Sequence, residues 1–312
     1  MKNNNKIIYL PLLGRIGNQL FQYAFAYTIQ REYGEYVKII IDESDVIETN
    51  WTNSLREYNL PEIEYVQEHN EYKKLLKQNL FTYKIYQKLI ENNDSQIQYK
   101  REKRWQRLLN KNGLVAVERG FASVVPNYNI NTLLIGYFQS EKYFKKYSDE
   151  IRQLFDLSKK IEKINYPGLD EIEKRNTVCI SIKIEHNLES DIYNVCDESY
   201  YKKAIDYIKS RVENPLFFLC SDNVEKAKET FFKDYNGDII CQAKGYSTAV
   251  SLCAMSKCKH FIINNTTFGW WAQYLCENSD KIVVAPDKWK NNKDPVSVYD
   301  GQEHWHLISC NN

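Results

Sequence analysis

Between Thr177 and Ala285 short apolar runs alternate with helix-patterned segments, and that alternation leaves few folds open. Strand-like runs are read at Thr177–Ile184, Pro215–Cys220, Asp238–Gln242, His260–Asn264 and Lys281–Ala285. Helix-like segments fall between them at Tyr200–Val212, Val224–Phe232, Ser247–Ser256 and Thr267–Cys276. Strands that are apolar throughout are strands covered on both faces, and single intervening helices supply the cover. Five strands with four crossover helices predict a parallel, doubly wound sheet.

The first 45 residues repeat the theme. Ile7–Leu13 is a continuous apolar run broken by Gly14-Arg-Ile-Gly17. Asn18 is placed to cap a helix carrying Leu20, Phe21, Ala24, Phe25 and Tyr27, with Gly34 as its stop. Tyr36–Ile41 then reads as a second strand ending at Asp42. Residues 50–130 are rich in Tyr, Lys, Asn and Gln, with helical stretches around Tyr72–Leu89 and Tyr99–Leu109. Gln153–Asn176, with Pro167-Gly168 near its middle, reads as the connection between halves. The expected architecture is α/β and GT-B-like: two Rossmann-like domains facing a cleft, residues 1–165 and 166–312, on fold-level analogy alone.

Bulk charge excludes one class of partner. Lys plus Arg is 42 against 41 Asp plus Glu, so the chain is no dedicated nucleic-acid binder. Locally the balance fails. Residues 71–112 hold eleven Lys or Arg against four acids. A solvated helical surface explains this; so does peripheral contact with an anionic membrane, favoured by Trp105 and Leu108. No apolar run approaches the ~20 residues of a membrane span, and the N-terminal stretch is too short for a signal peptide. A cytoplasmic location is expected, with the inner membrane face as a peripheral site. The 8 cysteines lack C-x-x-C spacing, and several lie inside apolar strands. They read as small buried hydrophobes in a reducing compartment.

Parallel sheets bind ligands beyond the carboxyl ends of their strands. Three such ends are polar: Glu185-His186-Asn187, Ser221-Asp222-Asn223, and Asn264-Asn265-Thr266-Thr267-Phe268-Gly269. The last opens a helix, whose amides and dipole suit a pyrophosphate. A carboxylate such as Asp222 suits ribose hydroxyls or a base N–H. Each residue alone also fits ordinary helix capping, Thr266 or Thr267 for one helix and Asp222 for the helix from Val224. Three on one edge favour a nucleotide. Gly14-Arg-Ile-Gly-Asn-Gln19 occupies the equivalent edge of the first half, without the spacing of a dinucleotide fingerprint or a P-loop.

Gly14-Arg-Ile-Gly-Asn-Gln-Leu-Phe-Gln-Tyr-Ala-Phe-Ala26 resembles the N-terminal motif of the α-1,2-fucosyltransferases, glycosyltransferase family 11. The G-R-x-G-N-Q form is also similar to the protein O-fucosyltransferases. Gly136-Tyr-Phe-Gln-Ser-Glu-Lys-Tyr-Phe144, Ser199–Ile205, Phe217–Asp222 and Asn265-Thr-Thr-Phe-Gly-Trp-Trp-Ala272 resemble later blocks of the family, in order. One block departs. Where the family carries H-x-R-R-x-D, this chain has Lys183 at the His, Glu185 at the first Arg, His186 at the second and Leu188 at the Asp. The first Arg contacts the β-phosphate of GDP-fucose in the family. A carboxylate there would be repelled by about 4 kcal/mol for charges ~4 Å apart at an effective dielectric of ~20.

The resemblance implies inverting transfer of L-fucose from GDP-fucose to a galactose 2-hydroxyl, with no cofactor and no obligatory metal. Its acceptor would be a galactose-containing glycan or lipid-linked oligosaccharide in surface-glycan synthesis. The chain lacks the D-x-D of a metal-dependent transferase; Glu43-Ser-Asp45 and Glu189-Ser-Asp191 are loose matches. Charge growing on departing GDP must then be met by the helix start at Thr266–Phe268 and a cation, either Lys183 or Arg15. The donor-binding set is Arg15, Asn18, Gln19, Ser221, Asp222, Asn265, Thr266, Thr267 and Phe268. Glu185, His186 and Lys183 are the catalytic candidates, with Asp42 a further candidate base. Three outcomes are open at the altered block: another cation substitutes, the donor is a different nucleotide sugar, or the chain is weak or inactive.

Overall fold

A computed structural model of the chain describes residues 6–33, 37–67, 80–91, 94–185, 190–233 and 235–310. It divides into two compact units, Met1–Leu154 with Lys293–Gly301, and Phe155–Asn292 with Gln302–Asn312. The division falls at Leu154/Phe155, whereas the sequence placed it at 165/166. Packing explains the difference. The Phe155 ring meets Trp271 edge-on at 5.4 Å, and Lys257 donates to the Ser158 hydroxyl, so the chain joins the second unit before Pro167.

The first unit holds β1 (Lys6–Pro11), α1 (Ile16–Tyr33), β2 (Val37–Asp42), α2 (Ser44–Glu48), β3 (Ile63–Val66), α3 (Leu80–Ile90), α4 (Ser95–Lys111), β4 (Leu114–Val117), β5 (Thr132–Gly136) and α5 (Ser148–Leu154). Its sheet runs β3-β2-β1-β5-β4, parallel throughout. β1 is central because it is apolar on both faces; Ile8, Tyr9 and Leu10 are fully buried. α1 is buried almost all round, including Leu20, Phe21, Tyr23, Ala24 and Phe25. Asn18 is not its cap. The helix begins at Ile16, and the Asn18 and Gln19 amides both donate to Arg15 O. The expected stop at Gly34, and residues 72–79 of the expected helix, lie outside the described residues.

The second unit holds α6 (Ser158–Lys163), α7 (Leu169–Lys174), β6 (Thr177–Ile182), α8 (Glu198–Lys209), β7 (Leu216–Ser221), α9 (Val224–Phe231), β8 (Ile239–Cys241), α10 (Thr248–Ser256), β9 (His260–Ile262), α11 (Thr267–Leu275), β10 (Val283–Pro286) and β11 (His306–Ile308). The order is β11-β10-β9-β6-β7-β8, again all parallel. Counted from β6, this is the 3-2-1-4-5-6 order of nucleotide-binding sheets. The sequence missed β11, three residues with too little apolar pattern to register. Val178, Ile180, Tyr200, Tyr201, Phe217, Leu219 and Ile262 form the core between β6, β7, β9 and α8. All eight cysteines are free thiols, buried or half-buried.

Candidate active site

The winding of the second sheet reverses between β6 and β9, and ligands of such sheets sit at that point, beyond the strand ends. The residues found there come from three strand ends. Lys183 follows β6, Ser221 closes β7 with Asp222 behind it, and Asn264–Thr267 lead from β9 into α11.

Asp222 joins two of these ends. Its carboxylate accepts from Lys183 Nζ at 2.7 Å and from the Ile184 amide at 2.8 Å. It does not cap α9, since Asn223 accepts from the Lys226 amide instead. Ser221 Oγ accepts from the Asn223 amide at 3.1 Å. Lys183 also faces a pocket lined by Tyr193, Cys196, Asn264 and Asn265, with room for about one water. Glu185 is exposed in the turn beyond β6. His186 lies outside the described residues, as does Leu188.

The start of α11 is fixed on every side. Thr266 is its N-cap, accepting from the Gly269 amide and donating to Asn264 Oδ1 at 2.8 Å. The Thr266 amide donates to Asn264 O, which corrects the expectation that three main-chain amides face a diphosphate there. Helix geometry aims the amides of Thr267 and Phe268 out of the helix end, and both residues are half-buried. Gly269 serves close packing within the fold: a Cβ on it would stand 3.0 Å from Ser181 Oγ and 3.2 Å from Ile263 Cβ. Behind the start, Trp270 stacks on Tyr274 at 4.9 Å, and Trp270 and Trp271 are fully buried.

Asn265 proves to be a scaffold residue. Its amide donates to Tyr193 O and Trp289 O, both at 3.0 Å, and it is 5% exposed. Its side-chain N–H groups are therefore turned inward, away from any donor. No spacing in the sequence points to Tyr193 or Trp289 as its partners.

In the first unit the reversal lies between β1 and β5. Asn18 Oδ1 accepts from Gln139 Nε2 at 2.8 Å, so the loop after β5 meets the start of α1. Gln19, expected to touch the donor, is fully buried. Its amide donates to Gly14 O and Thr52 O, and its carbonyl accepts from the Ser54 amide. It staples the loop before α1 to residues 52–54. Arg15 is exposed, its guanidinium 5.9 Å from the centre of the Trp51 ring. Asp42 is no candidate base: Tyr9 Oη and the Ser44 hydroxyl both donate to it at 2.6 Å, and it is 3% exposed. Its neighbour Glu43 takes Arg56 in two bonds, with Asn53 and Gln67 donating as well. Burial pushes the Glu43 carboxyl up, yet these donors, Arg56 first, hold it at about 2.

Among the described residues no group of three or more His, Cys, Asp or Glu is arranged to hold a metal ion. No helix among them is long and apolar enough to cross a membrane.

The sequence profile of Glycosyl transferase family 11 matches residues 7–305. The chain belongs to that family. As a family 11 member it is a glycosyltransferase, and its two parallel sheets with helices form a GT-B-like fold. It is similar to the O-antigen biosynthesis glycosyltransferase WbnK of Escherichia coli, 28% identical over 319 residues, which span 93% of this chain and 98% of that one. An alpha-1,2-colitosyltransferase of Escherichia coli is 29% identical over 181 residues, covering 55% of this chain and 60% of its own. Among solved structures, the NodZ alpha-1,6-fucosyltransferase soaked with GDP-fucose has a TM-score of 0.56 over 93% of this chain and 98% of that one, at 11% identity. That last likeness is one of fold.

Proposed function

We propose that the chain transfers fucose from GDP-fucose to a galactose 2-hydroxyl, with inversion, during synthesis of a surface glycan of the O-antigen type. The observation that carries this reading is the meeting of Lys183, Asp222 and the capped start of α11 at the reversal point of the second sheet. The names of the relatives support the substrate class: one is named for O-antigen biosynthesis and another for alpha-1,2 transfer of colitose.

In this reading the acceptor oxygen attacks the anomeric carbon as the bond to the diphosphate oxygen breaks. The bonding pair leaves with GDP, and the hydroxyl proton passes to a base. That proton is assigned to Glu185, a carboxylate exposed in the turn beyond β6. The first-turn amides of α11 and the Lys183 ammonium meet the charge that grows on the leaving group. Asp222 then acts as a positioning residue that holds Lys183. The reading calls for no metal ion and no cofactor.

A second reading rests on the relative named for colitose: the donor is a nucleotide sugar other than GDP-fucose. A hydrolysis and transfer screen over GDP- and UDP-sugars, with lactose as acceptor, separates the two. Turnover of GDP-fucose is the expected result. Turnover of another donor alone selects the second reading. A folded protein that turns over none is a non-catalytic relative, and both readings fail.

A further inference from the structure

Helix α4 buries mostly polar side chains. Gln98, Glu102, Gln106 and Asn110 follow one another at every fourth position, and all are buried. Leu109 is fully buried beside that row, whereas the apolar residues Ile97, Trp105 and Leu108 are 41%, 38% and 40% exposed. A helix that packs on a domain ordinarily does the reverse. Three of the four side chains of this row bond within the protein. Gln98 Nε2 donates to Glu102 Oε1 at 3.1 Å and to Glu118 Oε2 at 2.8 Å, and Gln106 Nε2 donates to Ala116 O. The Asp94 side chain caps the helix through the Gln96 and Ile97 amides. The orientation of the helix is thereby fixed, and so is its outward face.

That face is strongly basic. Lys100, Lys103, Arg104, Arg107 and Lys111 are exposed and Arg101 is half-buried, while Glu102, the acid of the helix, points inward. At 100° per residue Ile97, Arg101, Arg104, Trp105, Leu108 and Lys111 fall within an arc of about 120°. Cations and apolar side chains therefore alternate on one strip.

We infer that α4 is the surface by which the protein rests on an anionic membrane, with Ile97, Trp105 and Leu108 entering the headgroup layer and the flanking Lys and Arg meeting lipid phosphates. Charge complementarity selects the occupant. The excess of cations suits a polyanion, and exposed Ile and Leu beside an exposed Trp suit a lipid interface better than a nucleic-acid backbone, which takes up cations but not aliphatic side chains. Of the broader basic stretch 71–112, residues 71–79 and 92–93 lie outside the described residues, and the inference stands on α4 without them. It is independent of the donor sugar, since resting on a membrane needs no turnover.

The test is co-sedimentation of the full chain with vesicles of neutral phosphatidylcholine and of phosphatidylcholine mixed with phosphatidylglycerol, at low and high salt. Binding to the anionic vesicles alone, weakened by salt, is expected. Arg104→Glu and the pair Trp105→Ser, Leu108→Ser should each weaken it about tenfold or more. All three positions are exposed, and thermal unfolding reports whether the variants remain folded. Failure to sediment with anionic vesicles at low salt overturns the inference. So does binding by either variant at wild-type strength, or preferential retention of an oligonucleotide over vesicles.

Discussion

Lys183 and Asp222 form an ion pair of 2.7 Å between side chains that are 24% and 21% exposed. The carboxylate orients the ammonium and also accepts the Ile184 amide at 2.8 Å, so it ties the end of β6 to the end of β7. The two residues should respond differently to substitution. Lys183→Ala is expected to weaken GDP binding about tenfold, roughly 1.4 kcal/mol. Asp222→Asn keeps an acceptor for Ile184 and is expected not to weaken it. Calorimetric titration with GDP checks both, and a greater loss in Asp222→Asn would mean that this carboxylate touches the nucleotide itself.

Arg15 offers a second separation of binding from folding. It is exposed, and its guanidinium stands 5.9 Å from the centre of the Trp51 ring, a surface cation–π contact of about 0.5–1 kcal/mol. Arg15→Ala should therefore change the melting temperature little. If this guanidinium serves the reaction, transfer should fall by about a hundredfold or more, in line with the loss of one charge-stabilising donor. Steady-state rates beside a melting curve decide it.

Two glycines should rank far apart from ordinary surface positions. Gly136 has φ 136°, and a Cβ there would lie 1.9 Å from Val117 O, a backbone atom of the paired strand β4. Gly136→Ala is expected to cost more than ~3 kcal/mol and to leave little folded protein. Gly269→Ala meets only close side chains, Ser181 and Ile263, and is expected to cost about 1–3 kcal/mol. Denaturant unfolding of the two variants measures the difference.

Glu102 and Glu43 give stability opposite dependences on pH. Burial pushes Glu102 up to about 7, against hydrogen bonding from Gln98. Its folded form holds a proton that the unfolded chain has lost, so its contribution is present at low pH and disappears as pH rises from about 4.5 through 7. Glu43, held at about 2, contributes above its unfolded value and loses that contribution as pH falls toward 2. Unfolding free energies from about pH 5 to about pH 8 should decline by on the order of 2 kcal/mol in the parent and stay flatter in Glu102→Gln. An identical slope in both would remove Glu102 from the account.

The order of strands and helices in the second unit from β6 to β10, and of β1, α1 and β2 in the first, was legible because those elements carry their own period: continuous apolar runs in β1, β6 and β7, and helical spacing in α8 and α9; β3, β4 and β5, four or five residues each, went unread. The polar strand ends followed from the same pattern. What escaped was whatever depends on residues distant in the chain. Gln19 looks like a loop amide until Thr52 and Ser54 are seen against it. α4 was visible as a basic helix, yet its inward side carries Gln, Glu, Gln and Asn with Leu109 as the lone aliphatic, so no hydrophobic stripe marks which side faces inward. The start of α1 was misplaced by three residues, because the Asn18 and Gln19 amides close on Arg15 O.

The single amide of Asn265 holds the carbonyls of Tyr193 and Trp289 together. The segments carrying them are far apart in sequence, and displacing either one costs that nitrogen a bond inside the protein. Asn291 adds bonds between the same two segments, donating to Ile192 O, Asp191 O and Asn194 O, so shortening or lengthening either segment alone would strain its companion.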